Sequence, residues 1–340
     1  MYPKRRMRRL RGRIIQPLFK ETVIGLTDLV APLFVDETIG KAEPIASMPG
    51  QYRYPVDGIG KKAADLYDAG VHAVLLFGVP AQKDSSAKEA YADNGVVQKA
   101  VREIKNQVPE TVVITDVCAC EYTDHGHCGI IGDSPCGPDL DNDASLALMD
   151  RIAVSHAASG ADIVAPSCML DGMVRSIRAA LDDAGYSGTA IMSYSTKFAS
   201  ALYGPFRDAA GSGYSFGDRT TYQMNPANAR EAFLESQLDA DEGADILMVK
   251  PAGNYLDILS AVASIGLPVA GYQVSGEYSQ IKAAAERGWL DERSVVLETL
   301  TCIKRAGADL IITYFAEDVA GWLRDNPRTT QGAVASRRDQ

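Results

Sequence analysis

The stretch PANAREAFLESQLDADEGADILMVK, residues 226–250, contains the unit from which the fold can be predicted. It begins with an amphipathic helical pattern, passes through Gly243 and ends in a short apolar run, ADILMVK. A glycine at this point fits the residue that follows a helix, so that the strand starts directly afterwards. The same helix-to-strand junction occurs as SGAD at 159–162 and as AGAD at 306–309. The repeated arrangement predicts helices that lead directly into buried strands.

Eight apolar runs of this kind recur along the chain, with amphipathic helical patterns between them. They are LVAPLFVD (29–36), HAVLLFG (72–78), VVITDVC (112–118), ADIVAPS (161–167), TAIMSYS (189–195), ADILMVK (244–250), PVAGYQVS (268–275) and ADLIITYF (308–315). Continuous apolar strands indicate a parallel sheet covered on both faces. Eight such units favour a single (β/α)8 TIM barrel, an α/β fold, over two open sheets. The predicted organisation is a basic N-terminal arm (1–25), a catalytic barrel (26–326) and a polar C-terminal tail (327–340).

Side chains capable of chemistry follow these strands, at the end where a barrel carries its active face. They are Cys118, Cys120, Ser167, Lys197, Lys250, Ser275 and Tyr314. The connections 119–142 and 196–226 are unusually long, and loops of that length inside a domain are usually functional. The active site is therefore expected on this rim.

The stretch TDVCACEYTDHGHCG, residues 115–129, predicts a metal site. Period-two spacing on an extended strand end would point Asp116, Cys118 and Cys120 to one side, and Cys128 can loop back to them. Three thiolates with one open position are typical of catalytic zinc, and soft sulfur ligands favour zinc over magnesium or calcium. The alternatives are a reduced, metal-free loop and, least favoured, a disulfide knot. Six cysteines without a secretory signal pattern indicate a reducing compartment.

The histidines of this stretch have two interpretations. Either His125 or His127 closes the metal site as a fourth ligand, or both act with Asp116 to orient the ligands. We favour the second interpretation. The remaining cysteines lack partners at metal spacing and are expected to be ordinary buried thiols; they are Cys136, Cys168 and Cys302.

Lys197 and Lys250 lie at the ends of neighbouring predicted strands. A lysine buried there has its pKa lowered by desolvation and by nearby cations, which yields a free amine that attacks ketones and aldehydes. A structural ion pair explains one such lysine, but two facing one barrel mouth favour imine chemistry. The segment after Lys197, residues 203–223, carries four glycines together with Arg207 and Arg219, and predicts either a lid that binds carboxylates or a mobile surface loop.

The net charge of −10 is unevenly distributed, because residues 1–20 carry eight basic side chains and no acidic ones. The other 320 residues therefore carry −18. A solvated tail, a nucleic-acid arm and a transit peptide are alternatives, but the acidic body repels phosphates. We expect the arm to contact the acidic surface of another copy of the chain. No apolar run is long enough to span a membrane, and the expected location is cytoplasmic.

Several motifs together resemble the 5-aminolevulinic acid dehydratase (porphobilinogen synthase) family over nearly the whole chain. They are LRxR in the arm, DVCACEYTDHGHCG, APS, STKFAS, YGPFRDA, DRTTYQMNP, MVKPA, YQVSGEY and TYFA. The resemblance implies condensation of two 5-aminolevulinate molecules to porphobilinogen in tetrapyrrole (heme) synthesis, in an octamer if the family rule holds. A Schiff-base aldolase on the same barrel is the alternative enzyme, and a nucleic-acid-binding protein is an alternative of another class.

The resemblance also implies residue roles. Lys250 matches the lysine that forms the Schiff base with the first substrate, and Lys197 matches the second active-site lysine. The substrate carboxylates are assigned to Arg207, Arg219 and Gln223 for the second substrate, and to Ser275 and Tyr314 for the first. The metal assignments are Cys118, Cys120 and Cys128 for zinc, with Glu235 at the position of a magnesium-binding glutamate.

One departure from the family pattern concerns residues 165–173, APSCMLDGM, where members commonly have APSDMMDGR. Cys168 and Met173 replace an Asp and an Arg that, in some relatives, sit near an allosteric magnesium ion. Whether Glu235 binds magnesium in this chain is therefore left open by the sequence.

Overall fold

The computed structural model describes residues 6–134 and 137–325. Eight parallel strands pair in chain order, and the eighth pairs with the first, which closes the barrel. The strands are β1 (Leu29–Asp36), β2 (Ala73–Val79), β3 (Val112–Val117), β4 (Ile163–Pro166), β5 (Ala190–Lys197), β6 (Ile246–Lys250), β7 (Val269–Gln273) and β8 (Leu310–Thr313). The predicted TIM barrel is confirmed, and each predicted strand overlaps an observed one.

Helices cover the outside of the barrel. They are α1 (Val56–Asp68), α2 (Val96–Gln107), α3 (Asn142–Ala158), α4 (Met173–Asp183), α5 (Gly204–Ala210), α6 (Arg230–Glu242), α7 (Leu256–Val262), α8 (Ser275–Glu286), α9 (Glu292–Ala306) and α10 (Ala316–Asp325). Short additions are a helical turn at Arg6–Arg9, 3-10 turns at Gln16–Phe19, Leu26–Asp28, Lys88–Ala90, Ala201–Tyr203 and Ala263–Ile265, and strands at Glu43–Pro44, Tyr52–Tyr54, Ile131–Ser134 and Gly137–Leu140. Among the described helices, none is long and apolar enough to cross a membrane.

The Gly-Ala-Asp sequence that recurs between a helix and the next strand is explained by the roles of its glycine and its aspartate. Gly160, Gly243 and Gly307 have φ values of +104°, +107° and +123°, which L side chains rarely adopt, so the predicted helix-ending role of the glycines is confirmed. The aspartates anchor the start of each strand to the preceding strand. Their carboxylates accept backbone N–H hydrogen bonds at 2.7 Å (Asp162 from Val113), 2.8 Å (Asp245 from Ile191) and 2.9 Å (Asp309 from Val269).

Two predicted segments fall wholly or partly outside the described residues. The tail at 327–340 lies outside them, and so do the first five residues of the arm and Cys136. From residue 14 to residue 19 the arm exposes three apolar side chains, Ile14, Leu18 and Phe19, at 91%, 74% and 54%. These side chains are therefore not buried against the chain's own barrel.

Candidate active site

Lys197 and Lys250 are direct register partners at the carboxyl ends of β5 and β6. The predicted strand five stops short of Lys197, whereas the observed strand includes it. Both side chains are buried, with 6% of their surface exposed. The Nζ of Lys197 donates a 2.6 Å hydrogen bond to the carbonyl oxygen of Ser167, just after β4. The structure thus brings the two predicted amines together on one rim.

The side-chain nitrogen of Lys250 lies among aromatic rings. Its Nζ is 4.3 Å from the ring centre of Tyr272, 4.9 Å from that of Tyr194 and 5.2 Å from that of Phe206. Burial, followed by the positive charge of Lys197, lowers the pKa of Lys250 to about 7. A large fraction of this amine is therefore uncharged and nucleophilic near neutral pH.

The pKa of Lys197 shifts in the opposite direction. Burial by itself would lower it, but the negative charges of Cys128 and Cys118, followed by Asp116, outweigh burial and raise the pKa above its ordinary value. The two neighbouring lysines therefore differ in protonation, because one faces aromatic rings and the other faces thiols and a carboxyl group.

The predicted thiol triad forms a cluster beside Lys197. The sulfur atoms of Cys118, Cys120 and Cys128 all lie within 4.8 Å of one another and are buried, and those of Cys118 and Cys120 are 3.2 Å apart. The prediction of an extended strand through Cys120 was wrong. β3 ends at Val117, and the next residues form a turn in which Tyr122 N donates to Ala119 O. The turn brings the sulfurs together as closely as the metal prediction requires.

Asp116 lies between the thiol cluster and the lysines. Its Oδ2 accepts a 3.1 Å hydrogen bond from the hydroxyl of Ser167, whose carbonyl holds Lys197. Burial, followed by the charge of Glu121, raises the pKa of Asp116 to about 7. Asp116, Cys118 and Glu121 form a second group whose ligand atoms all lie within 4.8 Å. Asp116 is therefore placed to move a proton close to Lys197.

Comparison with known proteins identifies the family. The family model of delta-aminolevulinic acid dehydratase matches residues 4–322. The chain belongs to the delta-aminolevulinic acid dehydratase family. It is 53% identical to the dehydratase of Synechococcus elongatus over 325 residues, which cover 95% of this chain and 100% of the relative. It is also 53% identical to that of Archaeoglobus fulgidus over 324 residues, covering 95% and 99%.

A solved structure of the same family agrees with the fold of the whole chain. The dehydratase (porphobilinogen synthase) of Toxoplasma gondii, in complex with the reaction product porphobilinogen, is 38% identical and superposes with a TM-score of 0.92. The match covers 99% of this chain and 96% of the other. The family resemblance stated from the motifs is confirmed.

Residues 203–223, which the sequence predicts to be either a lid or a surface loop and which we call the lid, form part of the wall of the lysine pocket in this dehydratase structure. Arg207 and Arg219 both line the lysine pocket, whose cavity of about 20 Å³ holds little more than one water molecule. Arg219 donates hydrogen bonds to the carbonyl oxygens of Gly126 (2.8 Å) and Ser212 (2.9 Å). It therefore connects the lid to residues 118–128, the thiol-bearing loop. The Nε atoms of both arginines are buried and have no hydrogen-bond partner among the described residues. These N–H groups remain available to a bound carboxylate.

His127 contacts the lid and lies outside the cysteine cluster. Its Nδ1 is 3.0 Å from the hydroxyl of Tyr222, and its Nε2 is 3.0 Å from the carbonyl oxygen of Phe216. Both ring nitrogens are therefore engaged, which supports the orienting role over a ligand role. His125 accepts a hydrogen bond from the backbone N–H of His127 at its Nδ1. Burial lowers the pKa of His125.

The remaining predicted substrate residues fall in different places. Ser275 opens α8, and its Oγ accepts a 3.0 Å hydrogen bond from Phe206 N. The Tyr314 hydroxyl lies 3.1 Å from that of Tyr272, the ring closest to Lys250. Both residues therefore lie on the Lys250 side. Gln223 is buried with both amide atoms unpartnered among the described residues, and it lines a separate pocket that also contains Glu235.

That separate pocket, of about 410 Å³, is rich in acidic groups. Its carboxylates belong to Asp139, Asp171, Glu231 and Glu235. Burial, followed by the charges of Asp239 and Asp171, raises the pKa of Glu235 to about 7. Cys168, at the position of the departure from the family pattern, does not line this pocket and lies instead beside the thiol cluster.

Sequence reasoning missed three features of the site. Glu121 is a buried acid in the lysine pocket, and its place directly after Cys120 was the available signal. The aromatic rings around Lys250 come from four separate segments, so no local pattern indicates them. Cys168 lies beside the triad, in the loop that follows β4. Cys302, expected to be buried, is half-exposed and lies 3.4 Å from an Arg305 nitrogen.

Proposed function

We propose that this chain condenses two molecules of 5-aminolevulinate to porphobilinogen with loss of two waters, using lysine Schiff bases. The observation that supports this most directly is the adjacent pair of buried lysines with opposite pKa shifts. Two ketones and two amines must be joined in a fixed orientation. Covalent attachment through imines both activates the ketones and positions them.

Lys250 is the group that attacks the first substrate. Its uncharged amine adds to the ketone carbon, the C–N bond becomes C=N, and the ketone oxygen leaves as water. Ser275 and Tyr314, on the Lys250 side, bind the carboxylate of this substrate. The hydroxyl of Tyr314 and the surrounding rings supply a pocket in which little bulk water competes.

Lys197 holds the second substrate. Its raised pKa keeps it protonated before binding, and Asp116 is placed to receive a proton as the amine is released. Arg207 and Arg219 bind the carboxylate of this substrate from the lid, whereas Gln223, expected to share this role, lines the separate acidic pocket and is not assigned to it here. The closed cavity means that the lid opens to admit substrate and then excludes water.

The metal of this site is zinc, held by Cys118, Cys120 and Cys128. Three buried sulfur atoms in mutual contact form a soft donor set that fits zinc and does not fit magnesium. Bound there, zinc would supply Lewis acidity toward the oxygen of the second substrate. Free thiols require reducing conditions, so we place the reaction in the cytoplasm.

A second cation site, for magnesium, is proposed at Glu235. The acidic groups that line its pocket are hard oxygen donors, which magnesium prefers. Titration of Mg²⁺ into the wild-type protein and into Glu235→Gln, followed by calorimetry, tests this site. Equal heats from the two proteins would remove the magnesium assignment.

The experiment that tests the main proposal is borohydride trapping. Wild-type protein with 5-aminolevulinate and borohydride should carry a reduced adduct on Lys250, identified by peptide mass spectrometry. Lys250→Met should lose the adduct and essentially all porphobilinogen formation. Lys197→Met should lose turnover and still be trapped at Lys250. The control is Lys105→Met, since Lys105 pairs with Asp162 at the amino ends of the strands.

The outcomes also separate the alternative functions. A Schiff-base aldolase would form a reduced adduct with its own substrate but would make no porphobilinogen. A nucleic-acid-binding protein would form no adduct and make no porphobilinogen. A Lys250→Met protein that makes porphobilinogen at nearly the wild-type rate would remove the imine mechanism.

A further inference from the structure

Glu277 is a buried acidic residue in the first turn of α8, the helix that begins at Ser275. Its two carboxylate oxygens bind the backbone of two different loops. Oε2 accepts a 2.7 Å hydrogen bond from the N–H of Val274, directly before Ser275, and Oε1 accepts a 2.8 Å hydrogen bond from that of Gly253. Gly253 is the third residue after Lys250. One carboxylate therefore connects the segment after Lys250 with the start of the helix that carries Ser275.

Helix capping alone does not require the contact with Gly253. A glutamate at the third position of a helix often accepts a hydrogen bond from the backbone of the residue before the helix, and one oxygen is enough for that. The other oxygen of Glu277 binds a separate βα loop. A buried carboxylate is tolerated only when it is hydrogen-bonded, and bonds to a charged acceptor are short and strong. The carboxylate therefore joins the two loops firmly.

The bridge continues a connection that begins in the strands. The segments after β6 and β7 are joined by a backbone hydrogen bond of 2.9 Å from Ala252 N to Tyr272 O. Beyond it, the N–H groups of Gly253 and Val274 both donate to Glu277 instead. The side chain thus extends the link from the barrel into the loops that surround the Lys250 amine.

Two glycines allow this part of the structure to pack closely. A Cβ built on Gly253 would meet the Oε1 of Glu277, and a Cβ built on Gly276 would meet the backbone of Leu202, directly before the lid. Neither glycine has a positive φ, so close packing explains them better than backbone conformation does. The first turn of α8 therefore has little room to shift between the loop after β6 and the lid.

We propose that Glu277 is a positioning residue that sets the chain length of the keto acid accepted at Lys250. The inference rests on the proposed function, in which Lys250 attacks the ketone of the first substrate and Ser275 binds its carboxylate. Two methylene groups separate these two carbon atoms in 5-aminolevulinate. A substrate held at both ends reacts well only when its two anchors are the right distance apart. The Glu277 bridge fixes that distance.

Borohydride trapping with two keto acids that differ by one methylene group tests this selection. Levulinate has the two-methylene spacing of 5-aminolevulinate, 5-oxohexanoate has three methylene groups, and both lack the amino group needed for condensation. Peptide mass spectrometry measures the adduct on Lys250 of the full-length protein as the keto acid concentration is varied. Wild-type protein should prefer levulinate at least about tenfold, because one methylene group in a fitted pocket changes such preferences by about 10–200-fold.

Two variants break the bridge from opposite sides. Glu277→Gln keeps the size of the side chain but replaces one acceptor oxygen with an NH₂ donor, so one of the two N–H groups loses its partner. Gly253→Ala places a Cβ against the Oε1 of Glu277. Both variants should lose most of the preference, through a higher half-saturating concentration of levulinate with little change for 5-oxohexanoate.

Asp291→Asn is the matched control. Among the described residues, Asp291 accepts its hydrogen bond from Ser294 in the first turn of its own helix, α9. This variant should keep the wild-type preference. The preference is a ratio measured on one protein sample, so a lower folded fraction cancels, and a glutamate that only capped the helix would leave it unchanged.

An unchanged preference in either folded bridge variant overturns the inference, and so does a wild-type protein without a preference or an equal loss in Asp291→Asn. If Glu277→Gln does not fold, Gly253→Ala decides. When levulinate forms the adduct on wild-type Lys250 and porphobilinogen is made, such a result removes the inference alone. If wild-type protein forms no adduct on Lys250 with either levulinate or 5-aminolevulinate, the proposed function fails and the inference fails with it.

Discussion

Two residues of the same type, placed side by side, acquire different chemistry from their surroundings. Lys250 has a pKa of about 7 because it is buried and close to Lys197, whereas thiols and Asp116 raise the pKa of Lys197. The neutral fraction of Lys250 rises as the pH passes through this value. The rate of borohydride trapping at Lys250 should therefore be half-maximal near pH 7 and fall at lower pH. Rapid-quench mass spectrometry across pH 5–9 measures it.

The control for this prediction is Lys197→Met. Removing the neighbouring positive charge raises the pKa of Lys250, so the midpoint of the trapping rate should move to higher pH. A midpoint that stays in place or moves down would show that Lys197 does not set the reactivity of Lys250.

The same pKa shift predicts an effect on stability. The folded-state pKa of Lys250 lies below the unfolded value, so the folded protein binds fewer protons between the two values. Lys250 therefore destabilises the fold most below about pH 7, and this penalty disappears as the pH rises toward about 10.5. Lys250→Met should raise Tm at pH 7, with a smaller gain at pH 10. Calorimetry that finds equal Tm changes at the two pH values would contradict this.

The positions of the reactive residues could be predicted because they follow strands, but their environments could not. Parallel strands place Lys197 and Lys250 on one rim of the barrel regardless of the conformation of the loops. The turn at residues 118–122 and the position of Cys168 against Val117 depend on how separate βα loops pack. Local period-two spacing carries no information on such packing, and it gave the wrong local geometry for Cys120.

At the scale of structural elements, the lid and the thiol-bearing loop are joined by close contacts, among them the hydrogen bond from Ser215 N to His125 O. Gly126 has φ +73°, and a Cβ built on it would meet the carbonyl oxygen of Gly213 in the lid. A side chain there is strained and also pushes the lid away. Gly126→Ala should therefore raise the KM for 5-aminolevulinate and lower zinc retention together. Steady-state kinetics and metal analysis of the purified protein measure the two effects.

Gly213→Ala is the matched control, because its Cβ meets nothing within 4 Å and the residue has no positive φ. It should keep a KM close to that of wild type, because the added Cβ meets nothing and leaves the contact with Gly126 in place. Equal effects of the two substitutions would show that lid flexibility, and not its contact with the thiol-bearing loop, controls binding.

In the whole molecule, the exposed apolar side chains and the uneven charge point to assembly. The arm exposes Ile14, Leu18 and Phe19, and α6 exposes Leu234 and Leu238 at 63% and 55%. Exposed apolar groups of this size are typical of contact surfaces. With the charge of +8 on residues 1–20 against −18 elsewhere, we propose that the arm of residues 1–25 docks on a neighbouring subunit of a homo-octamer.

Deleting residues 1–20 should give assemblies smaller than those of the full chain, measured by light scattering. Two further variants separate the contribution of apolar contacts from that of charge. Replacing Ile14, Leu18 and Phe19 with Ser keeps the charge, whereas replacing the arm's basic residues with Gln keeps the apolar contacts. Because salt screens exposed charges over about 10 Å at 0.1 M, the Gln variant should lose the salt dependence of assembly, whereas the Ser variant should keep it at a lower mass. A full-size assembly formed by the deleted chain would show that the barrels associate without the arm.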